Sequence, residues 1–101
     1  MRSDAFVFSP AIREKLHDKH GVTEREVEQA FENLVGTFLQ DLRERHRTVP
    51  PTLWFVAQTN TGRHLKVVFV SENGKIFIKS AFDADALARG IYERNCGNNR
   101  G

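Results

Sequence analysis

Residues 52–81 read TLWFVAQTNTGRHLKVVFVSENGKIFIKSA, three apolar runs parted by two short polar breaks. The second break, "ENG", holds Asn73-Gly74, a pair that accepts the positive φ angles of a type I′ turn. "HLKVVFV" and "KIFIKSA" are therefore the two arms of a hairpin. The first break, "NTG", is also a turn. After it "RHLKVVFV" alternates, with Leu65, Val67 and Phe69 on one face and His64, Lys66 and Val68 on the other. "TLWFVAQT" is apolar almost throughout, which predicts a central strand covered on both faces, or on one face beside an edge. Trp54 inside it reads as core before it reads as a base-stacking ring. These three strands form an antiparallel meander.

Upstream, Pro50-Pro51 forbids continuation and sets the entry of the meander, and "TFLQDLR" (37–43) predicts one more strand ending in a charged loop, 43–51. The first third of the chain changes period. "SPAIREKLHDKHG" (9–21) predicts a helix with Ser9 as N-cap, Pro10 at the first helical position and Gly21 as the left-handed stop. "TEREVEQAFENL" (23–34) opens on a Thr23…Glu26 capping box, and Val27, Ala30, Phe31 and Leu34 recur at helical spacing. Before them "DAFVF" (4–8) is a short edge strand or ordered arm, or a strand by which Phe6 and Phe8 pair with a second copy as a homodimer. After the meander "DADALARGIYERN" (83–95) is a helix capped by Asp83. The expected fold is α+β: two N-terminal helices, an antiparallel sheet of about four strands in a meander, and one C-terminal helix.

A length of 101 residues, 40% of them hydrophobic and 28% charged, suits one core and excludes both a disordered chain and a large multi-domain enzyme. One domain over 1–95 with a flexible tail at 96–101 is expected. No apolar run approaches the roughly 18–20 residues of a membrane helix, and the N-terminus has no signal-peptide core, which predicts a cytoplasmic chain with no membrane partner. Cys96, the single cysteine, forms no internal disulfide and reads as an incidental thiol.

The chemistry is bounded first by what is missing. There is no glycine-rich phosphate loop, no dinucleotide fingerprint and no Cys-x-x-Cys or His-x-x-x-His pair, so no cofactor and no metal site is expected. His17 and His20 share a spacing at an exposed helix end, where positive charge suits the helix dipole. What remains is a cluster of cations, Arg43, Arg45, His46, Arg47, Arg63, His64 and Lys66, at the two ends of the 52–57 strand. Such clustering outweighs the net charge of +2 and suits a polyanion. A metal-independent ribonuclease needs a group to take the 2′-hydroxyl proton, a cation for the pentavalent phosphate and a donor for the leaving 5′-oxygen. His46 titrates near neutrality and suits either proton role. Arg43, Arg63 and Lys79 suit phosphate, while Tyr92 or Lys66 suits proton donation. The expected catalytic set is His46, Arg63 and Lys79, with Arg43, Arg47, Lys66 and Tyr92 on the RNA. Each has a structural alternative: His46 bonded to Asp41, Arg63 in a salt bridge, Lys79 solvated, Tyr92 packed.

"KLHDKHGVTEREVEQAF" (15–31), "GRHLKVVF" (62–69) and "IFIKSAF" (76–82) together resemble BrnT-type toxins of bacterial type II toxin–antitoxin systems, over about Ser9 to Tyr92. That resemblance implies a RelE-like fold, metal-independent RNA cleavage and a small antitoxin partner. It places a functional arginine on Arg63 and a basic or histidine position near Arg43–His46. Phe82 stands where the family carries arginine in "SAR", so one phosphate contact of the family is missing. "HRTVPPTLWF" (46–55) instead resembles small bacterial proteins often labelled ADP-ribosyl-(dinitrogen reductase) hydrolase. That label implies an acidic two-metal site, and this chain has no such carboxylate cluster. Three functions follow: a toxin-type endoribonuclease, a non-catalytic nucleic-acid or protein-binding module on the same fold, and the labelled hydrolase.

Overall fold

Asn73 and Gly74 take φ values of 54° and 78°, so the turn at their position closes the hairpin as a type I′ turn requires. A computed structural model of the chain describes residues 5–41 and 49–97. The elements run β1 (Phe6–Val7), α1 (Pro10–Lys15), α2 (Glu24–Glu32), β2 (Leu39–Gln40), β3 (Thr52–Gln58), β4 (His64–Glu72), β5 (Lys75–Asp83) and α3 (Ala86–Tyr92). Wider π-type turns extend α1 over Leu16–His20 and α3 over Glu93–Gly97.

The helix ends follow the sequence closely. The Ser9 hydroxyl accepts from the Ile12 N–H at 3.2 Å, and Gly21 ends the first helical segment at φ 61°. Thr23 and Glu26 form a reciprocal capping box: Glu26 N–H donates to Thr23 Oγ1 at 3.1 Å and Thr23 N–H to Glu26 Oε1 at 3.0 Å. Caps of this kind contribute about 1 kcal/mol each.

Five strands form one mixed sheet in the order β1-β5-β4-β3-β2. The meander β3–β4–β5 is antiparallel, with Phe55 opposite Val67 and Leu65 opposite Asp83. Three details differ from the sequence expectation. Strand β1 pairs parallel to β5, with Phe6 beside Ile76, giving a fifth strand and a mixed sheet; alternation in a short segment carries no direction, so only the packing of the intervening helices sets it. Its pairing is within the chain. Of the described part of the expected "TFLQDLR", strand β2 keeps two residues, pairing Leu39 with Trp54 and Gln40 with Leu53, while Leu42 and Arg43 lie outside the described residues. The middle strand is β4, not β3; the apolar run of β3 is long because α2 covers one of its faces and α3 the other.

Leu65, Val67, Phe69, Phe55, Ile76, Ile78 and Ala81 face α1 and α2 and meet Leu16, Val27, Ala30 and Phe31 in the core. Phe31 is the hub, its ring 4.7 Å from Phe55, 5.2 Å from Phe69 and 4.9 Å from Phe6. Each such side chain contributes about 1.5–3 kcal/mol by leaving water. Among the described residues α3 covers the second face of the sheet where it lies across β3, with Tyr92 6.0 Å from Trp54. No described helix is long and apolar enough to cross a membrane.

Candidate functional site

Arg63 and His64 are neighbours in sequence and point to opposite faces of the sheet, as alternation at the start of β4 demands. Arg63 turns to the helical face. Its Nε donates to Asp83 Oδ1 at 2.6 Å and its Nη2 to Asp83 Oδ2 at 3.3 Å. Nη1 donates to Glu26 Oε1 at 3.1 Å and to the Gly21 carbonyl at 2.9 Å, and Nη2 also reaches the His20 carbonyl at 3.1 Å. A guanidinium has five N–H donors, and these five bonds use them all. Arg63 thus clamps the His20-Gly21 joint between the helices onto the ends of β4 and β5. The hydrogen bond from Arg63 holds the Asp83 carboxyl below its ordinary range, and the same bond raises the Arg63 guanidinium. Asp83 serves this clamp at the end of β5; the cap of α3 is Asp85, whose carboxylate accepts from Ala88 N–H at 2.8 Å. The sequence expectation of Asp83 as cap is corrected here, because β5 runs two residues further than its apolar pattern.

His20 is half-buried, not exposed as its helix-end position suggested, and its ring lies 5.4 Å from that of Phe82. Burial lowers its pKa, and Lys15 and Lys19 lower it further, against a smaller opposing pull from Asp83. Phe82 is therefore packed on the helix joint.

His64 turns to the other face and lines a cleft of about 580 Å³ between the end of β3, the segment after α2 and α3. Arg89 and Glu93 line it with Tyr92 from the C-terminal helix, Asn33 and Val35 from the segment after α2, and Val56, Gln58 and Asn60 from the end of β3 and the turn that follows. Gln58 Nε2 stands 3.0 Å from His64 Nε2, and Arg89 Nη1 stands 3.5 Å from Nδ1. Gln58 Nε2 and Arg89 Nη1 can only donate and a neutral imidazole has one acceptor nitrogen, so the tautomer decides which of the two contacts is a hydrogen bond. Whenever Nδ1 carries a proton, it and the guanidinium are adjacent donors, and an anion between them would bond to both. The buried Tyr92 hydroxyl donates to the Thr37 carbonyl at 2.7 Å, tying α3 to the segment that leads into β2 and holding the cleft's two walls together.

The expected site residues are distributed differently. Arg43, His46 and Arg47 lie outside the described residues, as does most of the loop they occupy. Lys79 is exposed on β5 beside the register shift opposite Val68/Phe69. It stands four residues, roughly 13 Å of strand, from the Asp83 end that Arg63 clamps, so the fold does not gather those two cations. Lys66 shares the His64 face, its Nζ 4.4 Å from the Trp54 ring centroid and 5.9 Å from that of Phe82. Tyr92 does lie at the cleft. Sequence reading counted His64 among the clustered cations without giving it a role and did not consider Arg89: alternation did place His64 beside Lys66 on the second face, but nothing in the sequence brings Arg89 across to it. Among the described residues no group of three or more His, Cys, Asp or Glu is placed to hold a metal ion. Comparison with protein-family models and with curated proteins returns no match.

Proposed function

We propose that this chain is a BrnT/RelE-like, toxin-type protein that acts on RNA as a metal-independent endoribonuclease at the cleft around His64. The observation that carries the reading is the side-by-side placement of the His64 imidazole and the Arg89 guanidinium in that cleft. In transesterification the ribose 2′-oxygen attacks phosphorus, the bond to the 5′-oxygen breaks, and a 2′,3′-cyclic phosphate is left. Arg89 neutralises the charge that grows on the phosphoryl oxygens, and His64 as the imidazolium, its Nε2–H donating to the Gln58 side-chain oxygen, gives its Nδ1 proton to the departing 5′-oxygen and is left neutral. The Glu93 carboxylate, also at the cleft, takes the 2′-hydroxyl proton. The resemblance to BrnT-type toxins in "KHGV", "GRHLKVVF" and "IFIKSAF" supports the same reading, under which a small antitoxin is the natural partner.

A second reading is a non-catalytic RNA-binding module. It is favoured by the Arg63 clamp, in which the arginine matching the family position has every donor engaged within the protein, and by Phe82 in place of the family's arginine.

Incubation of the purified protein with a mixed RNA in EDTA, beside His64→Ala and Arg89→Ala, decides between them. The ribonuclease reading expects 2′,3′-cyclic ends and a loss of about 10²–10⁴-fold in rate for His64→Ala. Salt-sensitive retention of RNA with no cleavage products overturns it in favour of the binding module.

A further inference from the structure

The same cleft carries a stretch of strand edge that no other described strand covers. Main-chain groups alternate sides along a strand, and two bonds fix which side of β3 faces outward. The Thr52 carbonyl accepts from Asp41 N–H at 2.8 Å, and the Gln58 carbonyl accepts from Asn33 Nδ2 at 2.9 Å. Residue 56 has the same parity as 52 and 58, and the β3–β4 register is unbroken between them, so the Val56 N–H and C=O face outward too. Strand β2 pairs only with Leu53 and Trp54 and stops short of this point. Among the described residues none hydrogen-bonds the Val56 main chain on that side, and Val56 lines the cleft. A rigid N–H beside a rigid C=O is a ready template for a ligand edge that carries an acceptor beside a donor.

The amides beside it are held in one orientation. The Gln58 carbonyl can only accept, so Asn33 must present Nδ2 to it; the second N–H of that group then meets Asn60 Oδ1 at 3.0 Å. Asn33 Oδ1 is left as an acceptor and Asn60 Nδ2 as a donor. Val35, two residues after Asn33 and also lining the cleft, is 89% exposed.

We infer that this end of the cleft is a nucleobase subsite that takes one unstacked nucleotide of an RNA strand. The base edge pairs with the Val56 main chain, the base face lies on Val35, and the phosphate sits between Arg89 and His64. The inference rests on the RNA reading above and adds the feature that receives the base. A sugar has no flat apolar face for Val35, and an alkyl chain leaves the Val56 groups and the amides unpaired; a base with its phosphate uses all three features.

The test is an amide NMR titration with AMP, CMP, GMP, UMP, ribose 5-phosphate, inorganic phosphate and an uncleavable 2′-O-methyl trinucleotide. The nucleotides and the trinucleotide shift the Val56 and Asn60 amides, whereas ribose 5-phosphate and phosphate shift only the Arg89 side chain. Val35→Ser, a neutral change at an exposed position, weakens nucleotide binding by about fivefold or more and leaves phosphate binding unchanged. The inference fails if ribose 5-phosphate reproduces the Val56 shift, or if Val35→Ser binds nucleotides as wild type does. It fails as an RNA site if free mononucleotides bind at least as tightly as the trinucleotide. Nucleotide shifts at Val56 without RNA cleavage refute the ribonuclease and leave the subsite standing; cleavage without those shifts refutes the subsite alone.

Discussion

Arg63 and Asp83 form a two-point ion pair, Nε to Oδ1 at 2.6 Å and Nη2 to Oδ2 at 3.3 Å, that joins the start of β4 to the end of β5. The same guanidinium holds the carbonyls of His20 and Gly21, so one side chain fixes the helix joint to the sheet. Its partners are part-exposed, and its stabilisation comes more from geometry than from bare charge.

Arg63→Ala is therefore expected to lower stability by about 2 kcal/mol, since it removes the charge-assisted bonds to Asp83 and Glu26 and the bonds to the His20 and Gly21 carbonyls. Arg63→Lys recovers part of this, because an ammonium lacks the planar fork. Urea denaturation checks both. A variant as stable as wild type would remove the clamp from this account and return Arg63 to the list of free phosphate ligands.

The clamp region also sets a pH dependence. The Asp83 carboxyl is held low by Arg63, so its contribution is complete above the ordinary carboxylate pKa of about 3.9 and is lost as pH falls through its folded value. His20 is held low by burial and by Lys15 and Lys19, so the folded chain favours the neutral ring; stability is complete above about pH 6.5 and declines as pH falls below it. Thermal melts should thus show one loss beginning near pH 6.5 and a second in the acid range. In His20→Gln the first should vanish while the second persists. A melting temperature flat from pH 7.5 to 5 in wild type would contradict the His20 assignment.

Tyr92→Phe keeps the packing on Trp54 and removes the hydroxyl that donates to Thr37. The expected cost is about 1 kcal/mol in stability. On the proposed ribonuclease reading, because this bond joins the two walls of the cleft, KM for RNA should rise more than kcat falls. Steady-state kinetics on a short RNA would show it; equal KM with reduced kcat would mean that the hydroxyl serves the reaction and not the cleft's shape.

Local chemistry made much of this fold legible. Ser9, Gly21, the Thr23–Glu26 box and Asn73-Gly74 each act within a few residues of themselves, and each stands in the structure as its side chain or φ preference dictates. The alternation in β4 likewise put Leu65, Val67 and Phe69 in the core. Tertiary structure alone decided the rest. The parallel docking of β1 and the shortness of β2 depend on partners far along the chain, which no local pattern encodes. The exchange of roles between Arg63 and His64 has the same origin: a strand sends adjacent side chains to opposite faces, and only the packed helices show that one face is a saturated ion-pair joint and the other an open cleft with Arg89 beside the imidazole.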